Sequence, residues 1–245
     1  CNAKAVFLVG AVAVQPDGKI LSGGEVVAIG GQGRSQIARL DAVTGAADAW
    51  NPNADSPVYI ITAQADGKIL AGGPLTNIGG QPRRHSARLD AVTGLADSCD
   101  PNPTDQVTAI AVQSDGKILV GGAFNDTGGS PTIGGQDRNR IARLDSATGL
   151  ADSWNPNSDS NVSSITVQAD GKVLAGGNFS NIGGQMRPSI ARLDGVTGLA
   201  ASWDPHSPSS VCDVYSIAVQ SAVQVLASSN FDSPGGKVRH PISTP

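Results

Sequence analysis

The chain has 245 residues, with 17 basic against 21 acidic side chains, a net charge of −4 and an isoelectric point near 5.2. No basic tract occurs, which excludes the electrostatic footprint of a nucleic-acid binder, and no apolar run approaches the about 18 residues of a membrane helix. Its 31 glycines and 15 prolines make it rich in turns without the bias of a low-complexity chain.

The chain opens at Cys1 and has no initiator methionine, as expected of a processed, trimmed or partial chain. A mature bacterial lipoprotein begins with a lipidated cysteine, so Cys1 is a candidate anchor site. With Cys99 and Cys212 it makes an odd set without metal-like spacing, and no cofactor or metal is expected. The first apolar run, Val9–Val14, leads into Asp17-Gly-Lys, and the first unit continues to Ala38-Arg-Leu-Asp41 and Trp50.

That order then returns. Ala-Arg-Leu-Asp begins again at Ala87, Ala142 and Ala191, with starts 49, 55 and 49 residues apart. Asp-Gly-Lys returns at Asp66, Asp115 and Asp170, and tryptophan at Trp154 and Trp203, with Cys99 in the second place. Five units result, at about 1–50, 51–99, 100–154, 155–203 and 204–245, in one domain spanning 1–245.

The third unit displays the elements in full. Val107–Gln113 is short, apolar and β-branched, as in a strand buried on both faces. Ser114-Asp-Gly116 is a hairpin turn, because the turn needs positive φ. Lys117–Phe124 gives a second strand, and a loop through Ile133-Gly-Gly-Gln136 leads to a third at Arg140–Asp145. Thr148-Gly149 turns the chain into a fourth strand, Leu150–Trp154, which Asn155-Pro-Asn157 ends. No segment has helical periodicity.

Four short antiparallel strands per fifty residues make a propeller blade, whose two apolar faces are buried by stacking around an axis. The expected fold is all-β, a five-bladed β-propeller of four-stranded antiparallel blades. The fifth unit is worn. Its strands are Val214–Gln220 and Val223–Phe231, Ala222-Val-Gln224 replaces Asp-Gly-Lys, and Ser228-Ser229 replaces the double glycine. Ser233–Arg239 then aligns with Asn181–Arg187. The last blade is therefore expected to be incomplete, or closed by the N-terminal segment Ala3–Leu8.

The run Val-Gln-x-Asp-Gly-Lys-Ile-Leu-Val-Gly-Gly-x-Phe, then Gly-Gly, Ile-Ala-Arg-Leu-Asp and Asp-Ser-Trp-Asn-Pro resembles the delta-60 repeat of bacterial secreted and surface proteins. The resemblance covers nearly the whole chain and implies a propeller in an extracytoplasmic setting, with little said about activity. Kelch repeats share the double glycine and the length, but not the aromatic spacing.

Residues that recur in every unit read as architecture. These are the turn aspartates Asp17, Asp66, Asp115 and Asp170, the arginines Arg39, Arg88, Arg143 and Arg192, and the wedges Trp50, Trp154 and Trp203. Two features remain as candidate binding elements. One is the enlarged third-unit loop, with Asn125, Asp126, Thr127, Ser130 and Thr132. The other is the repeated Ile-Gly-Gly-Gln loop, with Gln32, Gln81, Gln136 and Gln185, which could offer one pocket per blade as in tachylectin-type lectins. No catalytic residue is expected: none of the three histidines is set in a motif against a nucleophile, and the first strands carry no charge. The expected function is a non-enzymatic extracytoplasmic binding or scaffold module with a protein partner on its rim loops. The alternative is a lectin-like saccharide binder, and a propeller glycoside hydrolase is a more distant third.

Overall fold

Each unit folds into its own antiparallel sheet, because the hairpins between consecutive strands are set locally. The computed structural model describes residues 5–125, 132–205, 213–221 and 224–229, and strands are the only regular elements in them. The first sheet contains β1 (Val6–Val14), β2 (Ile20–Ile29), the short β3 (Gln32–Gly33) and β4 (Ile37–Leu40). The second contains β5 (Ile60–Ala63) and β6 (Ile69–Gly72), a two-residue hairpin of β7 (Asn77–Ile78) and β8 (Gln81–Pro82), and β9 (Ser86–Leu89). The third is β10 (Val107–Val112), β11 (Ile118–Gly122) and β12 (Ile141–Leu144). The fourth is β13 (Val162–Val167), β14 (Val173–Gly177) and β17 (Ile190–Leu193), with the small hairpin of β15 (Asn181–Ile182) and β16 (Gln185–Met186). The fifth unit contributes β18 (Val214–Ser221) and β19 (Gln224–Ser229).

The Asp-Gly-Lys turns form as expected. Their glycines have φ between +82° and +86°, and each aspartate accepts the backbone N–H of the lysine two residues on at 3.1 Å. The Ala-Arg-Leu-Asp runs are the third strands, each paired to the second strand of its unit.

Two expectations need correction. The fourth strands are reduced to single bridges, at Leu40 with Ala47, Leu89 with Ala96, Leu144 with Ala151 and Leu193 with Ala200. In the third unit the Asp152 carboxylate accepts the Trp154 N–H at 2.9 Å, and Pro156 has no N–H to give, so the ladder stops. The N-terminal segment does not complete the fifth sheet either. Val6, Phe7 and Leu8 pair with Ala28, Val26 and Glu25, because β2 runs on far enough to hold them in β1. The proposed third strand of the fifth unit, Ser233–Arg239 and beyond, lies outside the described residues, as does Cys1. Among the described residues no ladder joins the first sheet to the fifth.

Neighbouring sheets meet through their first strands, β1 against β5, β5 against β10, β10 against β13 and β13 against β18. Each joint seats large apolar side chains on a glycine. A Cβ on Gly121 would lie 2.9 Å from Val162 Cγ1 and 3.0 Å from Ile165 Cδ1, and one on Gly176 would lie 2.6 Å from Val214 Cγ1 and 2.8 Å from Ile217 Cδ1. Gly23 receives Val58 and Ile61 in the same way, and Gly72 receives Val107. The core is therefore a series of clusters between successive sheets.

Gly121→Val should overpack its joint and lower unfolding stability by about 1–3 kcal/mol in urea denaturation. Gly31→Asn has open space for its Cβ but sits at φ +80°, so it should cost about 1 kcal/mol through backbone strain alone.

Candidate functional site

The repeated side chains form a structural frame. In the first three sheets one aspartate collects two cations. Arg39 Nε and Lys19 Nζ lie 2.7 and 3.0 Å from Asp48 Oδ2, Arg88 and Lys68 lie 2.8 and 3.1 Å from Asp97, and Arg143 and Lys117 lie 2.8 and 2.9 Å from Asp152. Burial pushes the pKa of Asp152 up, but the Trp154 N–H, Lys117 and Arg143 outweigh it and hold the carboxyl below its ordinary value. The arginines also lie over the tryptophan rings, 5.6 Å from Trp50, 5.7 Å from Trp154 and 5.4 Å from Trp203. Trp50 and Trp154 reach into the next sheet, where their indole N–H groups donate to the carbonyls of Asp90 at 3.1 Å and Asp194 at 3.0 Å. Arg192 departs from the pattern because Ala201 stands where the other units have aspartate, and Lys172 turns to Asp170 at 2.7 Å.

The Ile-Gly-Gly-Gln loops are tight two-residue turns, with both glycines of each at positive φ. Their first glycines accept the backbone N–H of Ala47, Ala96, Ala151 and Ala200, so the loop caps the fourth-strand bridge. Gln32, Gln81, Gln136 and Gln185 are exposed on these turns. A second repeated arginine escaped the sequence reading. Arg34, Arg83, Arg138 and Arg187 donate to the carbonyls of Asp48, Asp97, Asp152 and Ala201. Arg83, beside Arg84, is one of these clamps. Its signal was the spacing Gly-Gly-Gln-x-Arg, kept in all four units.

The repeat fails on the rim that carries these loops, between the third and fourth sheets. There a cleft of about 380 Å³ is lined by Asn125, Asn139, Arg140, Asn157, Ser158, Asp159 and Asn181. Among the described residues of the predicted loop, Asn125 lines it. Thr132 is buried, with its hydroxyl accepting the Arg138 N–H at 2.7 Å and donating to the Arg138 carbonyl at 2.6 Å, so it is a loop brace and not a contact residue. Asp126, Thr127 and Ser130 lie outside the described residues.

Arg140 occupies the positive-φ bend before β12, where the other units have Gln36, His85 and Ser189. Its Nη1 donates to the Ala123 carbonyl at 2.6 Å and to Asn161 Oδ1 at 2.7 Å. Asn139 Nδ2 donates to Asn157 Oδ1 at 2.8 Å across the cleft. Asp159 accepts the Ser180 N–H at 2.9 Å, the Asn181 N–H at 3.0 Å and Asn181 Nδ2 at 2.7 Å. Burial raises its pKa, but the bonds from Asn181 and Ser180 prevail and keep it ionised. Asp55 makes the equivalent contacts to Thr76 and Asn77, and against burial they bring its pKa to about 2. The third unit has Thr104 at this place, and Asn125 where the second and fourth have Thr76 and Ser180. An amide has therefore entered where a capped hydroxyl or backbone contact stands elsewhere.

A second cleft of about 350 Å³ opens at the same joint on the hairpin rim, lined by charged groups including Lys117, Arg143, Asp170, Lys172 and Asp194. These charges are engaged within the sheets: Lys117 and Arg143 with Asp152, Lys172 with Asp170, and Asp194 with Thr197. Among the described residues no group of three or more His, Cys, Asp or Glu side chains is placed to hold a metal ion.

Sheets stacked through their first strands, each set by tight hairpins, are the blades of a β-propeller. A family profile described as "Domain of unknown function (DUF5122) beta-propeller" matches residues 15–49, 64–98, 113–153 and 168–195, more than half the chain. The chain belongs to this β-propeller repeat family. Among solved structures it is similar to selenomethionine-substituted virginiamycin B lyase from Staphylococcus aureus, at 17% identity and a TM-score of 0.53. That likeness covers 88% of this chain and 63% of the lyase chain, so this chain spans less than two thirds of its length. No curated protein matches the sequence.

Two measurements test the frame. Ala201→Asp should give Arg192 the carboxylate it lacks and raise the unfolding free energy in urea by up to about 1 kcal/mol, less at high salt. Asp55 has a folded pKa below its unfolded value, so its contribution is complete above about pH 4 and lost as pH falls through about 2. Asp55→Asn should flatten that part of the acid-unfolding profile.

Proposed function

We propose that this chain is a non-enzymatic binding module that works outside the cytoplasm and takes a protein segment in the rim cleft between its third and fourth sheets. One observation carries the reading: the cleft gathers hydrogen-bonding groups, and three of them, Asn125, Asn139 and Arg140, depart from the repeat. Asn125, Asn139, Asn157 and Asn181 supply amides, which suit the N–H and C=O groups of an extended peptide. Asp159 and Arg140 are tied into the walls by their own hydrogen bonds, so they shape the cleft more than they supply charge. The resemblance to the delta-60 repeat supports the extracytoplasmic setting. The lyase activity of the structural relative forms no part of this reading, because likeness at 17% identity speaks to fold alone.

The same amides favour a second reading, in which the cleft takes a saccharide through its hydroxyls. Among the described residues no aromatic side chain lines the cleft to stack on a sugar ring, which ranks this second. Gln32, Gln81, Gln136 and Gln185 would be the per-blade sites of that reading.

Panning a displayed peptide library against the chain should yield binders that Asn125→Ala weakens at least about tenfold, which is about 1.4 kcal/mol in titration calorimetry. Saturable saccharide binding at millimolar concentration, abolished by the same substitution, would replace the peptide reading. Peptide binders indifferent to Asn125 would place the contact elsewhere.

A further inference from the structure

The first three units each hold a carboxylate in the same way, and the fourth keeps the holder without it. Oδ1 of Asp48, Asp97 and Asp152 accepts the backbone N–H two residues on, from Trp50, Cys99 and Trp154, at 2.9 Å in each case. Oδ2 accepts an arginine Nε at 2.7–2.8 Å and a lysine Nζ at 2.9–3.1 Å. Three donors, two of them cationic, thus serve the two oxygens of one carboxylate.

In the fourth unit Arg192, Lys172 and the N–H of Trp203 occupy the same places, and Ala201 stands where the aspartate would be. The arginine has kept its position. Its guanidinium lies 5.4 Å from the Trp203 ring centre, against 5.6 and 5.7 Å in the first and third units. Its Nε is buried and has no hydrogen-bond partner among the described residues, whereas the Nε atoms of Arg39, Arg88 and Arg143 each meet a carboxylate. A buried donor in that state is destabilising, and a carboxylate that reaches it removes the penalty.

Charge points the same way. The hairpin aspartates Asp17, Asp66, Asp115 and Asp170 are common to all four units, so Asp170 does not replace the missing group. The fourth unit is one negative charge short of the others. Lys172 now pairs with Asp170 at 2.7 Å, with side chains 36% and 50% exposed, and exposed pairs of this kind are weak enough to exchange.

We infer that Arg192, Lys172 and the Trp203 N–H form a binding site for the carboxylate of a ligand, in the place that Asp48, Asp97 and Asp152 fill from within the chain. Ala201 keeps the Cβ of aspartate and lacks the carboxyl alone, so the group that fits is a single carboxylate with the rest of its molecule toward solvent. The side chains of Asp48, Asp97 and Asp152 are 27%, 22% and 25% exposed, so a carboxylate held in this way still touches water. None of these residues lines the rim cleft between the third and fourth sheets, and the two sites stand or fall separately.

The arginine Nε–H resonances of the whole chain, followed by NMR while formate replaces chloride at fixed ionic strength, test the site. The Arg192 signal should shift saturably, with half-saturation at about 0.1 M or below, the roughly tenfold effect of one charge-assisted hydrogen bond. Those of Arg39, Arg88 and Arg143 should stay in place. Ala201→Asp builds the acceptor into the chain, so it should abolish the response while leaving the melting temperature unchanged or raised. N-acetyl-aspartate amide in place of formate separates the two sources of the group. Tighter binding of the amide supports the site and assigns it to a side chain of a polypeptide, and tighter binding of formate supports it and assigns a free small acid. Four arginine signals that move together, no saturable shift, or a response that survives Ala201→Asp overturns the inference.

Discussion

The structure depends on the absence of a side chain at one position per sheet. Gly23, Gly72, Gly121 and Gly176 leave the space that the next sheet's branched residues fill, and the close approach of first strands follows. That approach brings other contacts into range. Thr108 Oγ1 reaches the Val162 carbonyl at 3.1 Å, Thr166 Oγ1 reaches that of Ile217 at 3.0 Å, and Ser164 Oγ accepts the Ile217 N–H at 2.9 Å. A methyl group at any of these glycines would force the sheets apart. The indole bonds of Trp50 and Trp154 bridge the same joints and depend on the same spacing. Burial here scales with the number of joints, so stability grows by addition, as in other repeat arrays.

A second constraint sits at the hairpins. Positive-φ glycines fix the turns and carboxylates cap them, so each unit is set before it meets its neighbours. The Asp145 carboxylate, for example, takes the N–H groups of Ala147 and Thr148 and the Thr148 hydroxyl. These bonds hold its pKa below the ordinary range, although the group is at the surface. Repeated carboxylates can look catalytic in a sequence. In the structure they are occupied by the turns they form.

Much of the fold was legible because its signals are local. Asp-Gly-Lys marks a hairpin wherever it falls, and Ala-Arg-Leu-Asp runs lie in register with apolar second strands. The fourth strand was misread because Leu150–Trp154 has strand-like residues, while the Asp152 side chain takes over the bond a ladder would need. Thr132 was misread because a polar loop residue gives no sign that it will be buried. The rim cleft was legible only at Asn125, since its other walls come from the bend before β12 and the crossing after Trp154. Those segments meet only once two sheets have docked. The exchange of glycine for Ser228 was visible in sequence as wear in the fifth unit.

Cys99 holds the place of a tryptophan between the second and third sheets. It is 2% exposed, and burial pushes its thiol pKa up. A small void of about 20 Å³ lies beside it among Leu70, Ile110, Ile118 and Leu144. No indole there can donate to the next sheet, as Trp50 and Trp154 do on either side. In mechanical terms that seam lacks a tie that the joints on either side of it have. Parting would bring the thiol into water, so alkylation of Cys99 would count the openings of a single joint in an otherwise intact row.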